Sequence, residues 1–384
     1  MRQTSLSPHT APAPRTNLTT RMANPHSGTA AASSSAAASA ASPKGLALAA
    51  AIHKYDSILL DQFGVLHDGV APFPWAIKAV RYLAEERRAR VVILSNSSRR
   101  SDGTICRLKK IGFEPQWFGG VVTSGDVAHE LLGHKDAARR LWDECDPIWD
   151  HIAPAPTRGP HGRRLRAIHF VWNSRGGAGG VSDLDGLPID VTADPDTADI
   201  IIAHGADALS IPDDAGRSTL QPMSQEEATA LMAACAERRL PFLCANPDIV
   251  TVAGAGGALA RMPGALAAEY VRLGCPADRV HLLGKPSACI YRLAAHRFLS
   301  GEGKSGEGQG NDKAAVLAIG DSIAHDIAGA AAFGVDSCFI VETGIHAEDM
   351  RGSEGDAEAL CRAHGLALPP TIVAARFEIE ECIL

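Results

Sequence analysis

The chain has 384 residues, 46% of them hydrophobic, which is more than a single core usually covers and so predicts two domains. Its net charge of -7 gives no ground for a nucleic-acid partner, because a small anionic ligand needs local positive charge rather than a basic surface. No apolar run reaches the roughly 18–20 residues that span a bilayer, so no membrane partner is expected. Residues 1–44 are rich in Ala, Ser, Thr and Pro, carry Arg2, Arg15 and Arg21, and hold no acid. That composition cannot pack a core. It suits an organellar transit peptide, which would place the protein in a plastid or mitochondrion, and it equally suits a disordered tail on a cytoplasmic protein. The nine cysteines, from Cys106 to Cys382, include no C-x-x-C pair and so read as thiols of a reducing compartment.

From residue 45 onward a short aliphatic run is repeatedly followed by a helical pattern. SILL at 57–60 leads to a helix over 74–89, and VVIL at 91–94 to one over 102–112. HLL at 281–283 leads to a helix over 287–299, and AVLAI at 315–319 to one over 324–333. Continuously apolar strands alternating with helices predict an α/β fold, a doubly wound parallel sheet covered on both faces. The stretch 128–245 interrupts this pattern with signals of its own: AIHFVW at 167–172, ADIIIAHG at 198–205, a helix over 224–238 and PFLCA at 241–245. Ser224 with Glu227 three residues on gives that helix a capping box. The expected organisation is a core over 45–127 and 246–384, an inserted α/β cap over 128–245, and a flexible loop at SGEGKSGEGQGND, 300–312. RGGAGG at 175–180 reads as a loop. TVAGAGGAL at 251–259 is no dinucleotide fingerprint, since Leu259 stands where the third glycine belongs.

Ligands of parallel sheets bind beyond the carboxyl ends of the strands. Those four ends present Asp61, Ser95, Lys285 and Asp321. Each alone reads most simply as a cap, a turn or a solvated charge. Together at one rim they form a coherent site, in which the carboxylates hold a cation such as Mg²⁺ and the hydroxyl and ammonium hold phosphate oxygens. Asp61 then stands as a nucleophile.

The order Asp61-x-x-Gly-Val-Leu, Ser95-Asn96, Gly284-Lys285-Pro286 and Gly320-Asp321-Ser-x-x-x-Asp326 resembles the four motifs of the haloacid-dehalogenase-like hydrolases over about residues 52–346. The long insert, with ANPDIV at 245–250 and PGALAAEY at 263–270, resembles their class IIA branch of nitrophenyl, nucleotide and pyridoxal phosphatases. The resemblance implies a Rossmann-like core with a cap and a Mg²⁺-dependent hydrolase of small phosphorylated metabolites that works through an aspartyl-phosphate. It implies a nucleophile and metal ligand in Asp61, further ligands in the Phe63 carbonyl, Asp321 and Asp326, and a phosphoryl site in Ser95, the Asn96 backbone and Lys285. It also allows a homo-oligomer built through the cap.

Phe63 departs from the pattern, because phosphatases of this superfamily generally carry a second aspartate there that protonates the leaving group and activates water. A phenyl ring does neither. The departure leaves other readings open: a slow phosphatase, a phosphate-binding pseudo-phosphatase serving as sensor or scaffold, or a metal-independent dehalogenase-like hydrolase. His67 and Asp68 read as turn residues or as replacement acids, and Asn246 and Asp248 as a turn or as part of the site.

Overall fold

The computed structural model describes residues 48–133, 148–152, 164–173, 182–214, 217–253, 258–299, 315–351 and 356–379. The segment 1–44, the glycine run 175–180 and the loop 300–312 lie outside them. A first sheet holds β1 (Ser57–Leu60), β2 (Arg90–Ser95), β3 (Gly120–Thr123), β13 (Val316–Gly320), β14 (Asp336–Ile340) and β15 (Ile372–Ala374) in the order β15-β14-β13-β1-β2-β3. Every pairing in it is parallel. The aliphatic runs end up here because both faces are covered: Ile58, Leu60, Val91 and Ile93 enter one buried cluster and Leu59, Val92 and Leu94 another. The chain order runs outward in both directions from β1 and β13, so the crevice between their carboxyl ends is the switch point where such sheets take ligands.

The helices predicted at 74–89, 287–299 and 324–333 each divide in two. Pro74–Arg81 passes into a π-helical turn at Tyr82–Glu86, Ala288–Ala294 into one at Ala295–Leu299, and Ala328–Phe333 follows one at Ile323–Ile327. Such turns widen the helix by one residue. The one at Ile323–Ile327 carries Asp326.

The second sheet runs β12-β9-β6-β4-β7-β8, with β5 (Ile189–Val191) beside β4. Its other strands are β4 (Leu165–Val171), β6 (Ile200–Ala203), β7 (Ala208–Pro212), β8 (Ser218–Pro222), β9 (Phe242–Cys244) and β12 (Val280–Leu282). The helix Gln225–Glu237 opens with the predicted capping box, Ser224 and Glu227 satisfying each other's amides. The two ends of TVAGAGGAL lie on β10 (Val250–Ala253) and β11 (Ala258–Arg261), which pair antiparallel.

One expectation needs correcting. The strand before Lys285 is not part of the first sheet: β12 pairs with β9 in the second, Val280 against Phe242. The sequence reading returns the chain to the first sheet at 246, whereas the structure keeps it on the second through Leu282. The reason lies in the helix Pro263–Arg272, whose Leu266, Ala267 and Tyr270 pack with Phe242 in the second sheet's core. A parallel strand after a crossover helix lands beside the strand that preceded it. One apolar cluster joins the sheets, combining Leu59, Val92 and Val122 with Ala167, Ile200, Ile202 and Leu243.

Candidate active site

Asp61 follows the last residue of β1, where its amide still donates to the Ile319 carbonyl of β13 at 2.9 Å. Asp321 follows β13 directly. Its Oδ2 accepts the Ile345 amide at 2.8 Å, which fixes the carboxylate toward β1. Asp326 reaches back from the π turn, with Oδ2 accepting the Ser322 amide at 3.1 Å. Oxygens of Asp61, Asp321 and Asp326 all lie within 4.8 Å of one another. Gly64 makes this approach possible: at φ +75° its backbone is left-handed, and a Cβ there would stand 2.3 Å from Asp321 Oδ2.

Lys285 arrives from the opposite sheet. Its ammonium lies 2.7 Å from Asp61 Oδ1 and 2.7 Å from Asp326 Oδ1, and the residue is only 3% exposed. Burial alone lowers a lysine's pKa, but the charges of Asp326 and Asp61 outweigh it and hold Lys285 above its ordinary value. Asp321 is pushed well above the carboxylate range by burial first and then by Asp61 and Asp326. Asp61 is raised as well, by burial first, against the pull of Lys285.

Ser95 ends β2 and Asn96 follows it; both are buried. The Asn96 side chain accepts the Lys285 amide at 2.7 Å and donates to the Lys285 carbonyl at 3.2 Å and to Asp248 Oδ1 at 3.0 Å. It therefore stitches the first sheet to the loop that carries the lysine. Gly284, at φ +103°, lets that loop approach, since a Cβ there would lie 2.1 Å from Ser124 Oγ.

A family model described as haloacid dehalogenase-like hydrolase matches residues 58–143, and one described as HAD-hydrolase-like matches 282–364. Both matched segments are thus those of haloacid dehalogenase-like hydrolases. Among solved structures, a haloacid dehalogenase-like hydrolase from Brucella suis is 29% identical, with TM-score 0.56 over 81% of this chain and 93% of its own. A p-nitrophenyl phosphatase from Archaeoglobus fulgidus is 21% identical, with TM-score 0.53 over 86% and 99%. A possible sugar phosphatase from Cytophaga hutchinsonii is 17% identical, with TM-score 0.60 over 87% and 98%. No curated relative matches the chain.

In this hydrolase three carboxylates face the Lys285 ammonium in a largely buried site, so holding all three ionised would call for further positive charge. Oxygen donors at that spacing, with that deficit, fit a divalent cation that prefers carboxylates.

The Phe63 ring is partly exposed at the mouth, edge-on to His67 with centroids 6.4 Å apart. Asp68 closes a turn, its Oδ1 accepting the Val70 and Ala71 amides at 2.8 and 2.7 Å. His67 is buried, its Nδ1 accepts the Gly69 amide at 3.1 Å, and burial followed by the charge of Arg107 lowers its pKa to about 4. Asp248, one residue of the ambiguous Asn246-Asp248 pair, is in the site through Asn96, while Asn246 Oδ1 accepts the Asp248 amide at 2.9 Å.

Two features of the site carry no signal in the sequence reading. His325 Nδ1 lies 3.7 Å from Asp248 Oδ1; its place directly before Asp326 was the available clue. Asp126 is buried with both oxygens engaged by Thr123 and Ser101, and so ties β3 to the start of the helix Ser101–Lys110.

Proposed function

We propose that this hydrolase is a Mg²⁺-dependent phosphatase that cleaves a small phosphorylated metabolite through an aspartyl-phosphate. The observation that carries the reading is the Lys285 ammonium held at 2.7 Å from both Asp61 and Asp326, whose carboxylates cluster with that of Asp321. An Asp61 oxygen attacks phosphorus in line with the leaving oxygen. Lys285 favours the ionised form of Asp61 against the effect of burial and offsets charge on the transferring group. The Ser95 hydroxyl and the Asn96 main chain hold its equatorial oxygens, and the Asn96 side chain keeps Lys285 in place. Asp61, Asp321, Asp326 and the Phe63 carbonyl would hold Mg²⁺, which when bound would supply the positive charge that lets the carboxylates and an anionic phosphate share one site. The phosphatase likenesses of the solved structures support this reading through the shared fold.

A second reading, a phosphate-binding pseudo-phosphatase, is favoured by one observation: the aromatic ring of Phe63 two residues beyond Asp61. Release of phosphate from 4-nitrophenyl phosphate, with and without Mg²⁺, separates the two. Asp61→Asn is expected to eliminate release while leaving the melting temperature near that of the wild type. Asp321→Asn is expected to weaken Mg²⁺ activation and to recover in part at raised Mg²⁺. Wild-type activity in the Asp61→Asn protein would refute the nucleophile.

A further inference from the structure

Asp248 and Lys285 follow neighbouring strands of the second sheet at the same rim, since β9 and β12 pair in parallel with Cys244 opposite Leu282. A closed ring of contacts joins the two residues through the first sheet. From Asp248 Oδ1 the ring passes to Asn96 Nδ2 at 3.0 Å. The same Asn96 amide group holds the Lys285 main chain, accepting its N–H at 2.7 Å and donating to its carbonyl at 3.2 Å. The lysine side chain carries the ring on to Asp326 Oδ1 at 2.7 Å. The π turn then leads back from Asp326 to His325, whose Nδ1 lies 3.7 Å from the starting Asp248 Oδ1. Ser322 braces this last side, its hydroxyl accepting the His325 amide at 3.3 Å and its own amide donating to Asp326 Oδ2 at 3.1 Å.

Asp248 is itself firmly held. Asn246 Oδ1 accepts its amide at 2.9 Å, and its carbonyl accepts the Gly264 amide at 3.1 Å, at the start of the helix Pro263–Arg272. That helix comes so close that a Cβ on Gly264 would stand 2.1 Å from the Pro247 carbonyl oxygen and 2.6 Å from that of Asp248. A carboxylate fixed in this way can fix its partner. Asn96 Nδ2 has two hydrogens, one for the Lys285 carbonyl and one for Asp248. Without Asp248 the side chain of Asn96 would be tied only to the loop it has to hold.

We propose that Asp248 is a positioning residue, which acts through Asn96 to keep the Lys285 ammonium between Asp61 and Asp326. Its effect on turnover rests on the phosphatase reading above. The role needs no contact with substrate and no proton transfer. An ammonium offsets charge on the transferring group only if it is already in place, and a misplacement of about 1 Å can cost about 10²-fold.

The test compares kcat and KM for 4-nitrophenyl phosphate with Mg²⁺ in wild type, Asp248→Ala, Asp248→Asn, Asn96→Ala and the double variant Asn96→Ala/Asp248→Ala. Asp248→Ala is expected to lower kcat by about 10- to 10²-fold, with a smaller effect on KM. Asp248→Asn keeps an acceptor oxygen at the same reach and is expected to recover most of that loss. In the Asn96→Ala background the Asp248 change is expected to cost little more, because its route to the lysine is already cut. Effects that multiply, or wild-type kcat in Asp248→Ala, would overturn the proposal. So would an Asp248→Asn enzyme as damaged as the alanine variant, which would mark a proton carrier instead. Asp248→Leu, which matches the shape without an acceptor, replaces the alanine variant if that one does not fold. A crystal structure of the variant is expected to show the Lys285 ammonium displaced from Asp61 and Asp326, and an unmoved ammonium would overturn the proposal. Absence of release in wild type would refute the phosphatase reading alone, and the crystal structure would still decide the role of Asp248.

Discussion

Phe63 separates two halves of the proposed reaction. Forming the aspartyl-phosphate needs a nucleophile, a cation and an able leaving group; hydrolysing it needs a base to activate water. Asp61, Lys285 and the carboxylate cluster stand ready for the first half. Nothing at position 63 serves the second. The phosphoenzyme is therefore expected to accumulate: rapid mixing with 4-nitrophenyl phosphate should show a burst of leaving group stoichiometric with enzyme, then a slower steady rate. Phe63→Asp is expected to raise that steady rate by up to roughly 10²-fold, with some of the gain offset by repulsion from Asp61 and Asp321. An absent burst together with an unimproved Phe63→Asp enzyme would reject slow dephosphorylation. Asp248, exposed enough to meet water and facing His325, would then be the group to replace.

At the scale of elements, the second sheet carries a polar pair in its interior. His169 on β4 and His204 just past β6 are both buried, with Nε2 of the first 3.0 Å from Nδ1 of the second. Their outer nitrogens, His169 Nδ1 and His204 Nε2, have no partner among the described residues. Burial lowers the His204 pKa to about 3 and holds His169 well below its ordinary value. Both are neutral in the fold, so at pH above the ordinary histidine value they titrate in neither state. Below about 6.5 the unfolded chain takes up protons that the fold refuses, and stability is lost progressively as pH falls toward 3. Melting temperatures at about pH 7.5 and pH 5 should therefore differ. The gap is expected to narrow in His204→Gln; an unchanged gap would show that the pair is not its source.

The same sheet marks the limit of pattern reading. Its strands Ile200–Ala203 and Phe242–Cys244 were legible as apolar runs, as were β1, β2 and β13 of the first sheet, whereas β3, β14 and β15 were not read from the sequence. The three residues of β12 were legible as a strand too, but not as a member of the second sheet. Membership follows from the packing of the preceding helix, and three residues of period-two pattern hold no information about that.

Over the whole molecule, the first described residues to enter the buried core are Leu48, Ala51, Ile52 and Tyr55, which pack against the first sheet. A chain beginning at Lys44 keeps every one of these contacts. It is expected to match the full-length chain in melting temperature and in phosphate release, and a loss in either would show that residues 1–43 contribute to the folded body.

The sequence by itself determined the alternation of strand and helix, the insert between the second and third motifs, and the residues that end β1, β2 and β13. It could do so because burial on both sheet faces leaves continuous apolar runs, and because a parallel sheet gathers whatever follows its strands at one rim. Only the tertiary structure decided that Lys285 enters from the second sheet, that the Asn96 side chain ties its loop to the first, and that Asp248 and His325 stand beside them. Those facts depend on how two sheets face each other across a shared apolar layer, a relation between residues some 150 to 190 positions apart that no local pattern encodes.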